Sequence, residues 1–368
     1  MLARVYIDNY ACFVNFEFRL ARKQLICGSN GTGKTKFYQA LVAIQRIVSG
    51  GERVDGVLPE FLRTRWQNSA LQTFEIDAEL EGRTYLYRLV VERDGRPSRA
   101  QVKEESVHCD GNRIFSFERG EVRHFNDDFV ESVRFPFNPI QSALSIAAPG
   151  PDSTLLAAFL RWMSSLWFFQ INPMGMDTQA SLEVGVPNFN MSNFAAWYRH
   201  LAQDDPRGIG LYLSELRTAI DSFSDLRLKQ FGETVRAMFV EFQSESSSPV
   251  SFLLGELSDG QRCLIALYAL LNFAIRRGQT IFLDEPDNYI ALREIQPWLT
   301  AVEDALEEGR GQLVLVSHHP EILNQWLPDF GVQFRRDELG PVRVTPYQHP
   351  PDSPLLPAEL IARGWNDE

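Results

Sequence analysis

A glycine-rich segment constrains the fold of this chain more than any other feature of its sequence. Residues 28–35 read GSNGTGKT, the pattern G-x-x-x-x-G-K-[ST] of a loop that surrounds phosphate with backbone N–H groups. Residues 24–27 before it form a short apolar run, and residues 36–48 after it repeat apolar side chains at helical spacing. A strand, a phosphate loop and a helix are therefore predicted in that order, with a chance glycine-rich turn as the alternative.

The chemistry of this phosphate loop assigns roles to six consecutive residues. Glycines let the backbone curl around phosphate oxygens, and the helix that follows points its positive end at them. Lys34 would reach the β- and γ-phosphate oxygens, and the Thr35 hydroxyl would bind Mg²⁺. The predicted nucleotide-binding residues are Asn30, Gly31, Thr32, Gly33, Lys34 and Thr35.

A second segment places two carboxylates at the end of an apolar strand, since residues 280–286 read TIFLDEP. Asp284 would lie at the carboxyl edge of a sheet, beside the phosphate loop, and bind the metal. Glu285 would polarise the attacking water. Alone, this pattern is as typical of an ordinary turn after a strand, but the phosphate loop favours the catalytic interpretation.

Two further segments each have an ordinary alternative. Residues 257–262, the signature segment, read LSDGQR. Ser258 either caps a helix or, with the Gly260 amide, binds a γ-phosphate presented by another subunit. Residues 314–320 read VLVSHHP, and His318 is either an ordinary surface or core histidine or a γ-phosphate sensor.

The order of these four segments resembles the ATP-binding-cassette (ABC) type of P-loop ATPase over about residues 1–345. The phosphate loop is similar to the branch that contains RecF, the structural-maintenance-of-chromosomes (SMC) proteins and the overcoming-lysogenisation-defect nucleases. The resemblance implies that ATP and Mg²⁺ are bound, with Glu285 as catalytic base and His318 as switch. It also implies that the site of a partner copy is completed by Ser258, Gly260 and Gln261.

The same resemblance implies a catalytic glutamine on the loop that joins the core to a helical lobe. Gln170 follows a predicted helix and a short strand, as that glutamine does in the chromosome proteins. Gln141 is the rival, and an ordinary polar residue at the end of a strand or loop is the alternative for both.

This sequence departs from the family pattern in three places. Asp259 stands where transporters usually have glycine, which fits the non-transporter branch. Residues 287–292 (DNYIAL) lack the His-Pro pair that many single-chain members have there. The residues after His318 are too few for the nuclease domain of the overcoming-lysogenisation-defect proteins.

The expected fold class is α/β: a P-loop NTPase with an ABC-ATPase-like head, an N-terminal antiparallel β-meander and an inserted helical lobe. Residues 4–13 and 15–20 are predicted as strands, and alternating apolar and acidic side chains begin a meander at residues 74–125, with turns at 94–97 and 110–112. Residues 153–242 have a helical pattern, residues 244–249 form a predicted loop, and residues 262–276 form a predicted apolar helix. The predicted segments are 1–149 for the first part of the nucleotide-binding core, 150–249 for the lobe, 250–346 for the second part of the core and 347–368 for a proline-rich, extended tail.

Composition excludes several classes of protein. The chain has 368 residues with 36 basic and 48 acidic side chains, a net charge of −12 at pH 7. This excess of acid argues against a general nucleic-acid-binding surface, so DNA is a possible partner only through a local basic patch. No apolar run is long enough to span a membrane. Scattered cysteines fit buried free thiols in a reducing compartment, and a cytoplasmic protein is expected.

Taken together, these features predict an ATPase that closes into a head-to-tail homodimer around two ATP molecules. Each nucleotide would lie between the phosphate loop of one copy and Ser258 of the other. The closed and open states would control a separate effector, such as a nuclease or toxin, or DNA, in phage defence or DNA repair. The alternatives are the ATPase subunit of a membrane transporter and a nucleotide-dependent scaffold with little turnover.

Overall fold

The structure of the protein is a computed structural model that describes residues 1–94, 99–243, 248–336, 338–351 and 353–364. The strands are β1 (Leu2–Asp8), β2 (Phe16–Arg19), β3 (Lys23–Cys27), β4 (Leu71–Leu80), β5 (Arg83–Asp94), β6 (Arg99–Cys109), β7 (Asn112–Glu118), β8 (Glu121–Phe125), β9 (Glu131–Pro136), β10 (Trp167–Phe169), β11 (Gln179–Ala180), β12 (Phe223–Gln230), β13 (Arg236–Phe242), β14 (Val250–Leu253), β15 (Thr280–Asp284), β16 (Gln312–Val316), β17 (Gly331–Arg336) and β18 (Val342–Pro346). The α-helices are α1 (Lys34–Val48), α2 (Val54–Val57), α3 (Thr154–Ser164), α4 (Phe194–Asp204), α5 (Pro206–Ala219), α6 (Asp259–Phe273), α7 (Leu292–Glu307), α8 (Pro320–Phe330) and α9 (Pro357–Arg363).

The chain divides into two compact units. Of the described residues, the first unit comprises 1–166 and 331–348, and the second comprises 167–330 and 349–364. The domain boundaries predicted from the sequence stay a prediction, while the contacts within the chain divide it differently, with α3 in the first unit.

An eight-stranded antiparallel sheet in the order β2-β1-β4-β5-β6-β7-β8-β9 dominates the first unit. It confirms the predicted meander, which extends further than expected, to Pro136, and takes in β1 and β2. In β4, Phe74, Ile76 and Ala78 are buried, as the alternation of apolar and acidic residues predicts. The hairpin between β6 and β7 turns at Asp110 and Gly111, whose φ angles of 49° and 80° are typical of a type I′ turn.

A smaller group of strands in the first unit supports the phosphate loop. β17 pairs in parallel with β3 and antiparallel with β18. Phe37 of α1 packs against Phe16, Phe18 and Phe334, with ring centroids 5.4–6.2 Å apart. Because these rings are almost fully buried, they fix α1 against the strands and so fix the direction of the helix N-terminus.

Three parallel strands in the order β10-β15-β16 form the centre of the second unit. β15 and β16 are buried along their whole length, as the apolar runs predict for strands covered on both faces. α6 confirms the helix predicted from the apolar pattern of residues 262–276, and it packs against both α5 and α7. The indole N–H of Trp298 in α7 donates to the carbonyl of Leu267 at 3.1 Å.

The helical prediction for residues 153–242 is only partly right. α3, α4 and α5 lie there, but β12 and β13 pair antiparallel, and the short strands β11 and β14 both pair with the other edge of β13. The 3–4 spacing of apolar residues continues from α5 into Phe223, although the helix ends at Ala219. Ser222, with a φ of 60°, turns the chain into β12, and local spacing does not reveal such a turn.

Two other expectations need correction. The tail predicted as extended at residues 347–368 contains the helix α9, and the Ala358 N–H at the start of α9 donates to Asn324 in α8 at 3.0 Å. Residues 10–13, predicted as strand, form a turn closed by a bridge between Tyr10 and Phe13. The turn predicted at residues 94–97 and the loop predicted at residues 244–249 lie largely outside the described residues.

The described residues bear on two expectations from composition. Cys12, Cys27, Cys109 and Cys263 are buried and form no disulfide, as predicted. None of the described helices combines the length and apolar character that crossing a membrane requires.

Candidate nucleotide-binding site

The phosphate loop connects β3 to α1, as predicted, and its backbone needs glycine. Gly31 and Gly33 have φ angles of 82° and 93°, in the left-handed region that favours glycine. A Cβ on Gly33 would lie 2.7 Å from the Cys12 sulfur. The loop is therefore a tight, side-chain-free turn at the start of a helix, which is the shape that lets backbone N–H groups approach phosphate.

The polar groups around this loop are suited to an anion. The Lys34 ammonium donates to the carbonyls of Gly28 at 2.6 Å and Ser29 at 3.2 Å, so it lies across the loop. The first turn of α1 has no carboxylate and no side-chain cap, so the positive end of the helix dipole is not neutralised there. These residues fit a polyphosphate.

Exposure separates the predicted nucleotide-binding residues into two kinds. Asn30, Gly31 and Thr35 are exposed to solvent, where a ligand reaches them. Thr32 is buried, and its hydroxyl donates to the Ser29 carbonyl at 2.8 Å. The Thr32 side chain therefore shapes the loop, and its contribution to a ligand is restricted to its backbone.

The two carboxylates lie in the second unit, at the end of β15. Asp284 is the last residue of the strand and is 3% exposed. Glu285 has a left-handed φ of 47°, and its N–H donates to the Val316 carbonyl at 2.9 Å. This change of direction brings the Glu285 side chain to the surface, where it is 34% exposed.

His318 is brought to the same edge by the parallel register of β15 and β16, which pairs Asp284 with Val316. Its Nε2 lies 3.6 Å from Glu285 Oε1. His319 differs, because it is buried, its Nδ1 accepts the Glu321 N–H at 3.3 Å, and burial lowers its pKa. Of the two adjacent histidines, His318 is therefore the one that contacts the predicted catalytic base.

Two residues near these carboxylates were not singled out by the sequence analysis. Asn288 donates to Glu285 Oε2 at 3.2 Å, so it helps to orient the carboxylate. Burial raises the pKa of Asp287 to about 6, while the hydroxyl of Ser317 opposes that shift by donating to it. Both residues stand in the segment after the Asp-Glu pair, and position in that segment is the only sequence signal for them.

The two candidate glutamines differ in position. Gln170 directly follows β10, which pairs with β15 so that Phe169 lies opposite Leu283. Gln170 therefore comes level with Asp284, and it is exposed. Gln141 is a half-buried loop residue of the first unit, ahead of the short helix Ala143–Ile146. The position at the carboxyl end of a parallel strand favours Gln170, whose role stays a prediction.

The signature segment forms the N-terminus of α6. Ser258 Oγ accepts the Gln261 N–H, and Gln261 Oε1 accepts the Ser258 N–H, each at 3.2 Å. Within one chain, then, Ser258 is the helix cap that the sequence allowed as an alternative, in a reciprocal capping box. Ser258 is also exposed, so its hydroxyl remains accessible from outside the chain.

The first turn of α6 is fixed to the segment that follows Glu285. A Cβ on Gly260 would lie 2.8 Å from the Tyr289 carbonyl oxygen, so only glycine fits there. The Cys263 thiol donates to the Pro286 carbonyl at 3.0 Å. Arg262, which sequence reasoning also missed, pairs with Asp259 at 2.5 Å and donates to the Pro173 carbonyl at 2.8 Å.

The side chains available for a metal ion fit magnesium with a nucleotide. Within the described residues, no group of three or more His, Cys, Asp or Glu side chains is placed to hold an ion alone. Mg²⁺ is usually bound through one or two protein oxygens plus substrate phosphates. The Thr35 hydroxyl in the first unit and the Asp284 carboxylate in the second unit are each an oxygen donor of that kind, and that both bind one ion stays a prediction.

Comparison with known proteins bears on the fold and on the family. The sequence profile of the family described as "AAA domain, putative AbiEii toxin, Type IV TA system" matches residues 25–324. None of the curated proteins compared with the chain matches it significantly.

Several solved structures share the fold at low sequence identity. The SMC head domain from Thermotoga maritima has a TM-score of 0.51 and 11% identity, covering 95% of this chain and 99% of that chain. An SmcHead bound to the C-winged helix domain of ScpA has a TM-score of 0.53 and 9% identity, covering 94% and 97%. The Smc head domain bound to the C-terminal domain of ScpA derived from Pyrococcus furiosus has a TM-score of 0.52 and 10% identity, covering 94% and 95%. The predicted fold class is confirmed.

Proposed function

The chain belongs to this AAA-domain family and has the fold of SMC head domains. From that premise we propose that it is a P-loop ATPase of which two copies close head-to-tail around two ATP molecules and hydrolyse them. Each copy would supply a phosphate loop to one nucleotide and its signature segment to the other. Opening and closing of the pair would control a partner effector.

The observation that carries this proposal is the placement of the signature segment. Ser258 and the N-terminus of α6 are accessible from outside the chain, yet the same turn contacts the segment after Glu285 through Gly260 and Cys263. A γ-phosphate presented by a second copy would therefore meet an element that touches the catalytic segment directly. If the signature segment lacked this contact, binding of a γ-phosphate at Ser258 would have no direct route to affect hydrolysis at Glu285.

Each site residue has a proposed role. Lys34 and Thr35 would bind the triphosphate and Mg²⁺, and Asp284 would complete the metal shell. Glu285 would accept a proton from the attacking water, with His318 and Gln170 sensing the γ-phosphate and orienting the water. The contact between Glu285 and His318 supports a shared role for this pair.

The energetic reason for a nucleotide-driven switch is differential binding. A γ-phosphate supplies contacts that exist only in the closed pair, so ATP favours closure and ADP does not. A ligand with equal affinity for both states would shift nothing.

A protein effector is the output that the comparisons support best. The family description places the domain in a type IV toxin–antitoxin system, with the words "putative AbiEii toxin", and two of the similar SMC heads are bound to a domain of ScpA. The net charge of −12 gives little support to DNA as the main ligand. We therefore propose that the effector is a separate chain, such as a nuclease or toxin, and that the setting is phage defence or DNA repair.

Mixing two inactive variants tests the shared site. Lys34→Ala removes the phosphate-loop cation, and Ser258→Arg blocks the signature turn. Each variant alone should have almost no ATPase activity. In a mixed dimer, one of the two sites combines an intact Lys34 with an intact Ser258, so mixing should restore about a quarter of wild-type activity.

The control for charge and bulk at a helix cap is Ser153→Arg, at the N-cap of α3, which should leave activity unchanged. If the two folded variants never complement each other while ATPase activity in the wild type is normal, each site is built within one chain and the head-to-tail model is wrong.

A further inference from the structure

An exposed tryptophan is held rigidly beside the phosphate loop in the first unit. Trp66 is 39% exposed, and its indole N–H donates to the Leu339 carbonyl at 2.7 Å. The polar atom of the ring is therefore already satisfied, and what remains at the surface is aromatic face. A tryptophan fixed in this way offers a flat apolar surface at low cost in side-chain entropy.

A single arginine connects this ring to the phosphate loop. The Arg336 guanidinium lies 5.3 Å from the centroid of the Trp66 ring, in the range of a cation–π contact. Its Nη1 donates to the Gly31 carbonyl at 3.2 Å, and its Nε donates to the Gly340 carbonyl at 3.0 Å. Trp66, Arg336 and Gly31 thus form one continuous chain of contacts.

The spacing of these contacts suits a nucleotide. Gly31 belongs to the predicted phosphate loop, and the Arg336 guanidinium contacts both Gly31 and the Trp66 ring. A nucleotide whose phosphates lie in the loop has its base outside the loop, and the indole is an aromatic surface connected to the loop by these two contacts. An aromatic face paired with a guanidinium is a surface on which bases stack regardless of their hydrogen-bonding pattern.

We propose that Trp66 and Arg336 form the platform on which the base of the bound nucleotide stacks, and that this platform favours purines because their larger ring system covers more of it. This inference rests on the proposed function, since it takes the phosphates to occupy the phosphate loop. A change in the conformation of the phosphate loop should also affect the platform, because the Arg336 guanidinium contacts both the Gly31 carbonyl and the Trp66 ring.

Calorimetric titration with ATP and with inorganic tripolyphosphate separates the base from the phosphates. Trp66→Ala should weaken ATP binding about tenfold, the loss of one stacked base, and leave tripolyphosphate binding within twofold of the wild type. Trp66→Phe should recover most of the ATP affinity, because a ring remains. Lys34→Ala should weaken both ligands, which reports on the phosphate loop alone.

Two further measurements sharpen the test. CTP should bind the wild type more weakly than ATP, and this difference should disappear in Trp66→Ala. The neighbouring aromatic Phe61, which is 82% exposed, provides the matched control, and Phe61→Ala should bind ATP like the wild type. Quenching of tryptophan fluorescence by ATP should be smaller in Trp66→Phe.

The outcomes distinguish the two proposals. If Lys34→Ala loses neither ligand, the proposed function fails. If Lys34→Ala behaves as expected but Trp66→Ala loses ATP and tripolyphosphate equally, or loses neither, the platform is wrong while the phosphate loop stands. A loss of single-stranded DNA binding in Trp66→Ala with unchanged ATP affinity would likewise overturn the platform, because the surface would then serve nucleic acid.

Discussion

Glu285 shows how a single strained residue shapes the candidate site. A left-handed backbone costs an ordinary residue about 1 kcal/mol or more, and here the N–H bond to Val316 offsets part of that cost. The strained turn lets consecutive carboxylates take different environments, with Asp284 buried and Glu285 at the surface beside His318. A buried carboxylate suits a metal and an accessible one suits water, which is the division of labour that the sequence predicts.

The adjacent histidines allow a controlled substitution at this scale. His318→Gln should lower kcat for ATP hydrolysis roughly 100-fold, because a group near the developing charge is lost, with little change in KM. His319→Gln should keep kcat within a few-fold of the wild-type value and lower the thermal unfolding temperature. The reason is that His319 accepts a hydrogen bond at the start of α8, whereas His318 is the histidine beside Glu285. Steady-state ATPase kinetics and thermal melts of both variants measure this. Equal losses of kcat in the two variants would remove the assignment of His318.

At the scale of elements, the contact between α6 and the segment after Glu285 depends on the absence of a side chain at Gly260. Gly260 lies against the Tyr289 carbonyl so closely that a Cβ meets backbone rather than a flexible side chain. We expect a helix and a loop packed this closely to move together. This is the physical basis for expecting that ligand contacts at Ser258 affect Glu285.

Gly260→Ala tests that contact. We expect it to lower the free energy of unfolding by about 1–3 kcal/mol, the cost of overpacking, and to reduce ATPase activity. Gly210→Ala is the matched control, because Gly210 is an exposed residue of α5 with open space where the added methyl group would lie, and it should stabilise the helix by up to about 1 kcal/mol. Urea denaturation of both variants gives the comparison. A Gly260→Ala protein as stable and active as the wild type would show that the two elements are not coupled.

The β-meander carries a buried carboxyl group that makes its stability depend on pH. Glu105 accepts hydrogen bonds from the hydroxyls of Tyr87 at 2.9 Å and Ser142 at 2.6 Å and from the Ala143 N–H at 3.2 Å. Burial still dominates and raises the pKa of Glu105 from its ordinary value of 4.5 to about 7. The folded chain therefore holds a proton that the unfolded chain releases between these two values.

Stability should consequently fall as pH rises from about 4.5 to about 7 and stay level above that, with a total effect on the order of 3 kcal/mol. Glu105→Gln, which cannot ionise, should remove this fall. Glu104→Gln, at an exposed neighbouring position, should retain it. Urea midpoints at pH 5 and pH 8 measure the effect, and parallel profiles for wild type and Glu105→Gln would rule out Glu105 as its source.

Local patterns predict elements well where the chain buries a continuous apolar stretch. β15, β16, α1 and α6 were found from residue spacing alone because each is covered on most sides by its own unit. β12 and β13 were missed because their partners are each other, and that pairing is decided by tertiary packing rather than by local spacing. The Trp66–Arg336 contact was also missed, since it joins residues far apart in sequence and neither belongs to a motif.

At the scale of the whole molecule, two copies of an acidic chain repel each other, and the proposed homodimer has to form in spite of that repulsion. With a net charge of −12 on each copy, long-range repulsion opposes a homodimer, most strongly at low ionic strength. Two bound nucleotides with their Mg²⁺ ions would have to supply contacts that exceed this repulsion. Association should therefore depend strictly on ATP and should become easier as salt screens the charge.

Glu285→Gln isolates that dependence, because it is expected to bind ATP without hydrolysing it and so to accumulate in the closed state. Light scattering should show a dimer with ATP and Mg²⁺ and a monomer with ADP or without nucleotide. The dimer should persist as the salt concentration is raised from about 50 to about 300 mM. Over roughly this range the Debye length falls below 10 Å. The double variant Lys34→Ala/Glu285→Gln should stay monomeric throughout, since the γ-phosphate contacts cannot form. If Glu285→Gln binds ATP by calorimetry yet remains monomeric at every salt concentration, the nucleotide is held within one chain, and control of an effector would have to come from a change of conformation in that single copy.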